Sequence, residues 1–339
     1  MVAAAAATVA FPASPQSGAP NAARLVRPKR LAPGSLVGLI SPGGVVNDTL
    51  IEKCVTNLEG QGFKVRTGLN IRAAHGGYAG TVEQRLEDLH AMFRDREVSA
   101  IWAARGGSGC MALLPRIDYS LIRKNPKILI GYSDITALHL ALLRHAGLVT
   151  FHGPVASSTF SDFSAGQMRA VLMEPEATRV LPMAPENLAK AGELPQFIPR
   201  VFRKGVAEGR LAGGNLSLVC ALVGTPYGAQ GAGNLLFLEE VGEAPYRIDR
   251  MLSQLQLAGI TSASTGVVMG IFQKCEATDG EPSLTLVETL TERMAQAPIP
   301  AAYGYSFGHV PHQVTLPVGI RASFDTEAGT LTLLERPVS

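Results

Sequence analysis

Charge is scarce in this chain, and so are cysteine and tryptophan. Asp, Glu, Lys and Arg make up 17% of the 339 residues, and their formal sum at pH 7 is only +2, without any basic cluster or stripe. A dedicated nucleic-acid binder concentrates Lys and Arg on one face, so that class is set aside. No apolar run approaches the roughly 20 residues needed to cross a bilayer, so a spanning helix is not expected. Cys54, Cys110, Cys220 and Cys275 are scattered, with neither C-x-x-C nor Cys/His metal spacing. They fit buried thiols in a reducing compartment, although spacing alone leaves a disulfide open. What is plentiful is apolar residues, 46% of a chain long enough for two domains.

The first 34 residues stand apart. They are rich in Ala and Pro, lack apolar periodicity and end in Arg24, Arg27, Lys29 and Arg30, which reads as a disordered or loosely attached tail. Ala3 to Phe11 resembles the apolar core of an export signal and Ser17-Gly-Ala19 a cleavage site, but the charged leading segment is missing. The expected compartment is therefore the cytoplasm, with the periplasm as the alternative.

From Ser35 to about residue 156 strands and helices alternate. Leu36 to Ser41, Phe63 to Arg66, Ser99 to Ala104 and Ile128 to Ile130 are short apolar strands. Helices are expected over Leu50 to Leu58 and, from the capping box Thr81-Val-Glu-Gln84, to about Arg94. This predicts a doubly wound, mostly parallel α/β sheet, which gathers ligands at the carboxyl ends of its strands. Three loops should meet there: Pro42 to Gly44, Arg105 to Gly109, and Gly131-Tyr-Ser-Asp134.

The last of these holds the chemistry. Ile128 to Ile130 runs straight into the helical spacing of Leu138, Leu142 and Leu143, so Ser133 must sit on a sharp bend above the sheet edge. That is the geometry of a nucleophile elbow, with the N–H groups that open the next helix available to an oxyanion. A plain helix cap is the competing reading of Ser133, and Ile135 stands where G-x-S-x-G has its second glycine. The Arg105 loop reads either as a tight turn or as part of an anion hole through the Gly107 N–H, with Arg105 holding a carboxylate or bracing the loop. Cys110, inside an expected helix, reads as a buried hydrophobe and not a nucleophile.

Residues 157 to 200 are polar and proline-dotted, a connector with one helix near Ala165 to Leu172. Residues 201 to 339 predict an α+β, partly barrel-like domain: a helix over Leu216 to Val223, strands over Leu235 to Glu239 and Thr265 to Phe272, a helix over Pro245 to Ala258, and a hairpin over Ile320 to Leu334. Glu239 ends a strand, and His309 sits in Tyr305-Ser-Phe-Gly-His309. A serine needs a base, and an imidazole is the better base when a carboxylate fixes its tautomer. Spacing leaves alternatives open: Glu239 could cap the helix at Pro245, and His152 is nearly as good a base as His309.

The ordered set Ile40-Ser-Pro-Gly43, Arg85-Leu-Glu-Asp-Leu89, Trp102-Ala-Ala-Arg-Gly-Gly107, Gly131-Tyr-Ser-Asp-Ile-Thr-Ala137, Phe151-His-Gly-Pro154, Gly213-Gly-Asn-Leu216, Leu238-Glu-Glu-Val-Gly-Glu243, Pro245 to Leu252 and Phe307-Gly-His309 resembles the LD-carboxypeptidase (muramoyl-tetrapeptide carboxypeptidase) family of serine peptidases, over about Leu36 to Glu335. The resemblance implies a Ser133, Glu239, His309 triad, an oxyanion site from the N–H groups of Gly107 and Asp134, Arg105 as a candidate for the substrate carboxylate, no cofactor or metal, and a homodimer. It implies release of terminal D-alanine from murein tetrapeptides in peptidoglycan recycling. The same family includes microcin C self-immunity peptidases, which cleave peptidyl or aminoacyl nucleotides, and a non-catalytic receptor for cell-wall peptides is the reading from another class. One departure bears on substrate: Ser108 replaces the aromatic residue usual after Arg-Gly-Gly.

Overall fold

The computed structural model describes residues 24–278, 280 and 282–339. The export-signal reading of Ala3 to Phe11 and Ser17 to Ala19 lies outside them. In chain order the strands are β1 (Leu36–Ile40), β2 (Lys64–Thr67), β3 (Val98–Ala103), β4 (Ile128–Gly131), β5 (Thr150–His152), β6 (Arg179–Leu181), β7 (Arg200–Arg203), β8 (Val206–Asn215), β9 (Asn234–Glu239), β10 (Gly266–Gly270), β11 (Ala301–Tyr305), β12 (Leu316–Val318), β13 (Arg321–Asp325) and β14 (Thr330–Leu333).

They form two sheets. The first is ordered β12-β5-β4-β3-β1-β2, with β1 to β5 parallel and β12 antiparallel on β5. Its strand order reverses between β1 and β3, and the loops after these two strands flank the resulting crevice. The second sheet is ordered β6-β14-β13-β8-β9-β10-β11-β7. Its centre, β8 to β11, is parallel, and its flanks are antiparallel.

Alternation along each buried strand sends side chains into two cores. Ile101, Ala103 and Leu129 of the first sheet share one core with Leu236 and Leu238 of the second. Ala100, Trp102 and Ile130 share the other with Leu235 and Phe237. Each core therefore draws on both halves of the chain. Helix Thr136–Ala146 shows the consequence, burying Leu138, Leu140, Ala141 and Leu142 on more than one face because packed structure lies on both sides of it.

Two segments differ from expectation. Residues 24–34 belong to the expected tail, yet they form a strap: Val26 N–H donates to Gly147 O at 2.7 Å, Leu31 N–H to Leu172 O at 2.9 Å, and Arg30 N–H to Ser339 O at 3.0 Å, with Leu31 buried. Within the expected connector, helix Asp162–Leu172 is followed by β6, which pairs with β14 as an edge of the second sheet. No helix among the described residues is long and apolar enough to cross a membrane.

Candidate active site

The bend after β4 has the strain that the sequence implies. Ser133 has φ of 64°, in the left-handed region that a non-glycine residue seldom occupies. The turn Ser133–Ile135 is capped by Tyr132 and the following helix by Ile135, neither through a side-chain hydrogen bond. The cap reading of Ser133 therefore fails, and its half-exposed hydroxyl is available. Ile135, in place of the second glycine, is fully buried and packs toward Gly131. The carbonyl of Gly131 is bonded by His139 Nε2 at 2.9 Å, which ties the elbow to its own helix.

The three loops converge. Gly44 N–H donates to Gly106 O at 2.9 Å. Gly106 lies so close beneath Ser133 that a β-carbon there would come within 2.8 Å of the serine Cβ and 3.0 Å of its Oγ. Gly107 is exposed with φ of 100° and passes against Gly44. Arg105 is exposed and donates from Nη1 to Val45 O at 3.4 Å, which braces the neighbouring loop. Asp134 is buried, and its Oδ2 accepts from Cys110 N–H at 2.9 Å, so the carboxylate fastens the end of the glycine-rich loop. Burial and the nearby Asp134 push the Cys110 thiol well above its usual pKa, which leaves it inert. Ser108 is exposed, and the ring of Tyr78 lies against the adjacent Gly109.

From the second sheet, Glu239 and Glu240 point to opposite sides of their strand, as strand alternation requires. Glu240 Oε2 accepts from Ser217 N–H at 2.8 Å and Oγ at 2.7 Å, and its Oε1 from Asn215 Nδ2 at 2.9 Å, which pins the start of helix Leu216–Ala221. Glu239 is wholly buried and its Oε2 meets His309 Nδ1 at 2.7 Å. The helix at Pro245 is capped by Ala244 with no side-chain bond, so Glu239 plays no part there. Gly308, with φ of 106°, lets the chain fold over the carboxylate, since a β-carbon would lie 2.9 Å from Glu239 Cβ.

Electrostatics follow from this pairing. Burial works against both charged forms, but the imidazole's charge and hydrogen bond hold Glu239 below the usual carboxylate range. The Glu239 charge and hydrogen bond in turn overcome burial and raise His309 above its ordinary 6.5. His152 is different: burial pushes its pKa down to about 4, and neither ring nitrogen has a partner. Of the two candidate bases, only His309 meets a carboxylate.

His309 also packs edge-on against Tyr132, ring centroids 4.8 Å apart, which places it beside the residue preceding Ser133. The structure thus joins His309 to Glu239 and sets both next to the elbow, while Ser133 Oγ and His309 make no direct hydrogen bond among the described residues. Nor do the described residues hold a group of three or more His, Cys, Asp or Glu placed to bind a metal. Sequence reasoning missed His139 and Tyr132. A histidine in an otherwise apolar helical stripe is the available signal for the first, and for Tyr132 it is the place beside Ser133 in Gly131-Tyr-Ser-Asp134.

Models of the LD-carboxypeptidase N-terminal and C-terminal domains match residues 37–153 and 208–324. The chain belongs to the LD-carboxypeptidase family. Among its relatives is the probable murein peptide carboxypeptidase of Bacillus subtilis, 37% identical over 312 residues, 91% of this chain and 94% of that one. The murein tetrapeptide carboxypeptidase of Pseudomonas aeruginosa is 35% identical over 290 residues, 84% of this chain and 91% of that one. Among solved structures, the microcin C7 self-immunity protein MccF in its apo state superposes with a TM-score of 0.83 over 93% of this chain and all of that one, at 23% identity, a likeness of fold.

Proposed function

We propose that this protein is a serine carboxypeptidase that cleaves the LD bond releasing terminal D-alanine from a murein tetrapeptide. The observation that carries the reading is the buried Glu239, paired with a partly exposed His309, set against a strained elbow whose serine hydroxyl caps nothing. The two relatives named for murein peptides support the substrate class.

In this reading His309, oriented by Glu239, takes the proton of Ser133 as Oγ attacks the carbonyl before the terminal D-residue. The bond between nucleophile and base is commonly long without substrate and tightens when it binds. The N–H groups of Asp134 and Gly107 receive the oxyanion. His309 then gives its proton to the leaving amine, and water, deprotonated by the same imidazole, frees the acyl group. Arg105, exposed at the mouth of the crevice, is the cation for the terminal carboxylate. Four unpaired, buried thiols support a reducing, cytoplasmic setting, and the family resemblance supports a homodimer.

The test is mass spectrometry of products from L-Ala-γ-D-Glu-diaminopimelate-D-Ala, with a peptidyl nucleotide assayed in parallel. Loss of one terminal residue is expected. Replacing Ser133 with Ala should lower the rate at least about a thousandfold with the fold intact. An unchanged tetrapeptide alongside a cleaved nucleotide conjugate would move the enzyme to the microcin-type substrate, and turnover by the alanine variant near the parental rate would dismiss the nucleophile.

A further inference from the structure

Far from Ser133, a cleft of about 640 Å³ opens between the two halves. Helix Thr136–Ala146 separates the two places: its first turn follows the elbow, whereas Leu140, Leu143 and Arg144 near its other end line the cleft. Thr136 and Arg144 are about 12 Å apart along the helix axis. β8 runs likewise, with Asn215 bonded to Thr136 Oγ1 at the catalytic end and Glu208 to Ala212 at the cleft.

Four guanidiniums line this cleft, those of Arg24, Arg144, Arg210 and Arg321, against the single carboxylate of Glu208. A whole chain of formal charge +2 thus gathers four guanidiniums around one concavity. The internal neutralisation is incomplete. Arg321 pairs with Glu208 at 2.9 Å and Arg210 with Glu335 at 3.0 Å. Among the described residues Arg144 forms no ion pair: its Nε is closed off from solvent without a hydrogen-bond partner, and its Nη1 and Nη2 face only the neutral side-chain amide of Gln230. Like charges held around a partly enclosed space repel, and an anion bound among them relieves the repulsion and gives Arg144 the counter-charge that the neutral amide of Gln230 does not. Leu25 and Leu143 form an apolar wall beside the charges, and the volume falls in the range of small-molecule sites.

We infer that this cleft binds a small organic phosphate, its phosphoryl group among the arginines and its apolar body against Leu25 and Leu143. A second copy of the chain is a poorer occupant, because a two-fold interface built on this patch would bring its arginines against themselves.

The test uses the full chain and phenyl phosphate, titrated calorimetrically at low ionic strength with phenol as the control. Saturable binding of phenyl phosphate is expected, with none of phenol. Arg144→Gln and Arg321→Gln should each weaken binding at least tenfold, and Ala229→Trp, which fills the cleft without changing its charge, should abolish it. Peptidase activity of all three should stay within twofold of the parent. Should Arg144→Gln fail to fold, the other two variants decide the matter. The inference is overturned by the absence of saturable binding, by affinity unchanged in the variants, by competition with the tetrapeptide, or by self-association that the variants abolish and phenyl phosphate does not affect.

Discussion

His309 is held between two opposing influences, and the balance makes a pH prediction. Burial lowers its pKa, while Glu239, and more weakly Glu240, raises it to a net value above 6.5. Tyr132 and the neutral His152 are the other titratable groups packed about it. In its proposed role as general base His309 works in the neutral form, so kcat/KM should rise through a pKa above 6.5 as pH increases. Glu239→Gln removes the raising influence and leaves burial, so the rising limb should move to lower pH. The rate should also fall by about three to four orders of magnitude, because an amide no longer fixes the tautomer. A pH–rate profile of this variant checks both effects, and a limb that stays in place would mean that Glu239 does not act on the base. His152 illustrates what spacing could not decide. It sits on a strand of the first sheet against Phe237 of the second, ring centroids 5.4 Å apart, so contacts remote in the chain are what bury it and leave it without a carboxylate.

Among elements, the glycine-rich loop after β3 is the part on whose geometry Ser133, the proposed nucleophile, depends most directly. Gly106→Ala should push on Ser133, since the new methyl would meet its Cβ at 2.8 Å and Tyr132 O at 3.2 Å. Each 1.4 kcal/mol of lost transition-state stabilisation is about tenfold in rate, so kcat should fall between about tenfold and a hundredfold. KM and the melting temperature should change less, because the methyl lies in the crevice and not in either core. Steady-state kinetics alongside a thermal melt would check this, and a parental kcat would show that the loop yields freely. This loop, the elbow and the parallel strands were legible in the sequence because buried parallel strands are unbroken apolar runs punctuated by glycine. Other elements lie outside that pattern. Helix Leu286–Ala295 opens on Thr285-x-x-Glu288, a capping box present in the structure but not among the helices expected from apolar spacing. The strap over residues 24–34 has too few apolar residues to show a period, and its order comes from backbone bonds to Gly147, Leu172 and Ser339. Nothing local says that the strand Leu316–Val318 crosses to the first sheet.

At the scale of the molecule, that crossing strand decides whether the two halves are independent. β12 covers the edge of β5, with Leu316 and Val318 fully buried, and helix Thr136–Ala146 is buried from Thr136 to Leu142 by contributions from both halves. Each hydrophobic core contains residues of both sheets. Removing residues 157–339 would therefore expose the β5 edge and the far face of this helix together. Burial of large apolar side chains contributes on the order of 2 kcal/mol each, so losing several exceeds the ~5–15 kcal/mol that holds a typical domain folded. A fragment of residues 24–156 should accordingly show no cooperative urea transition. The same coupling makes a prediction for the intact chain, whose single tryptophan, Trp102, lies buried in the first half. Its fluorescence reports the surroundings of one strand of the first sheet, whereas far-ultraviolet circular dichroism averages over both halves. The two signals should lose their native values at the same urea concentration, as a two-state transition requires. Separated midpoints, or a fragment that unfolds cooperatively by itself, would mean that the halves fold as separate units joined only at the active-site crevice.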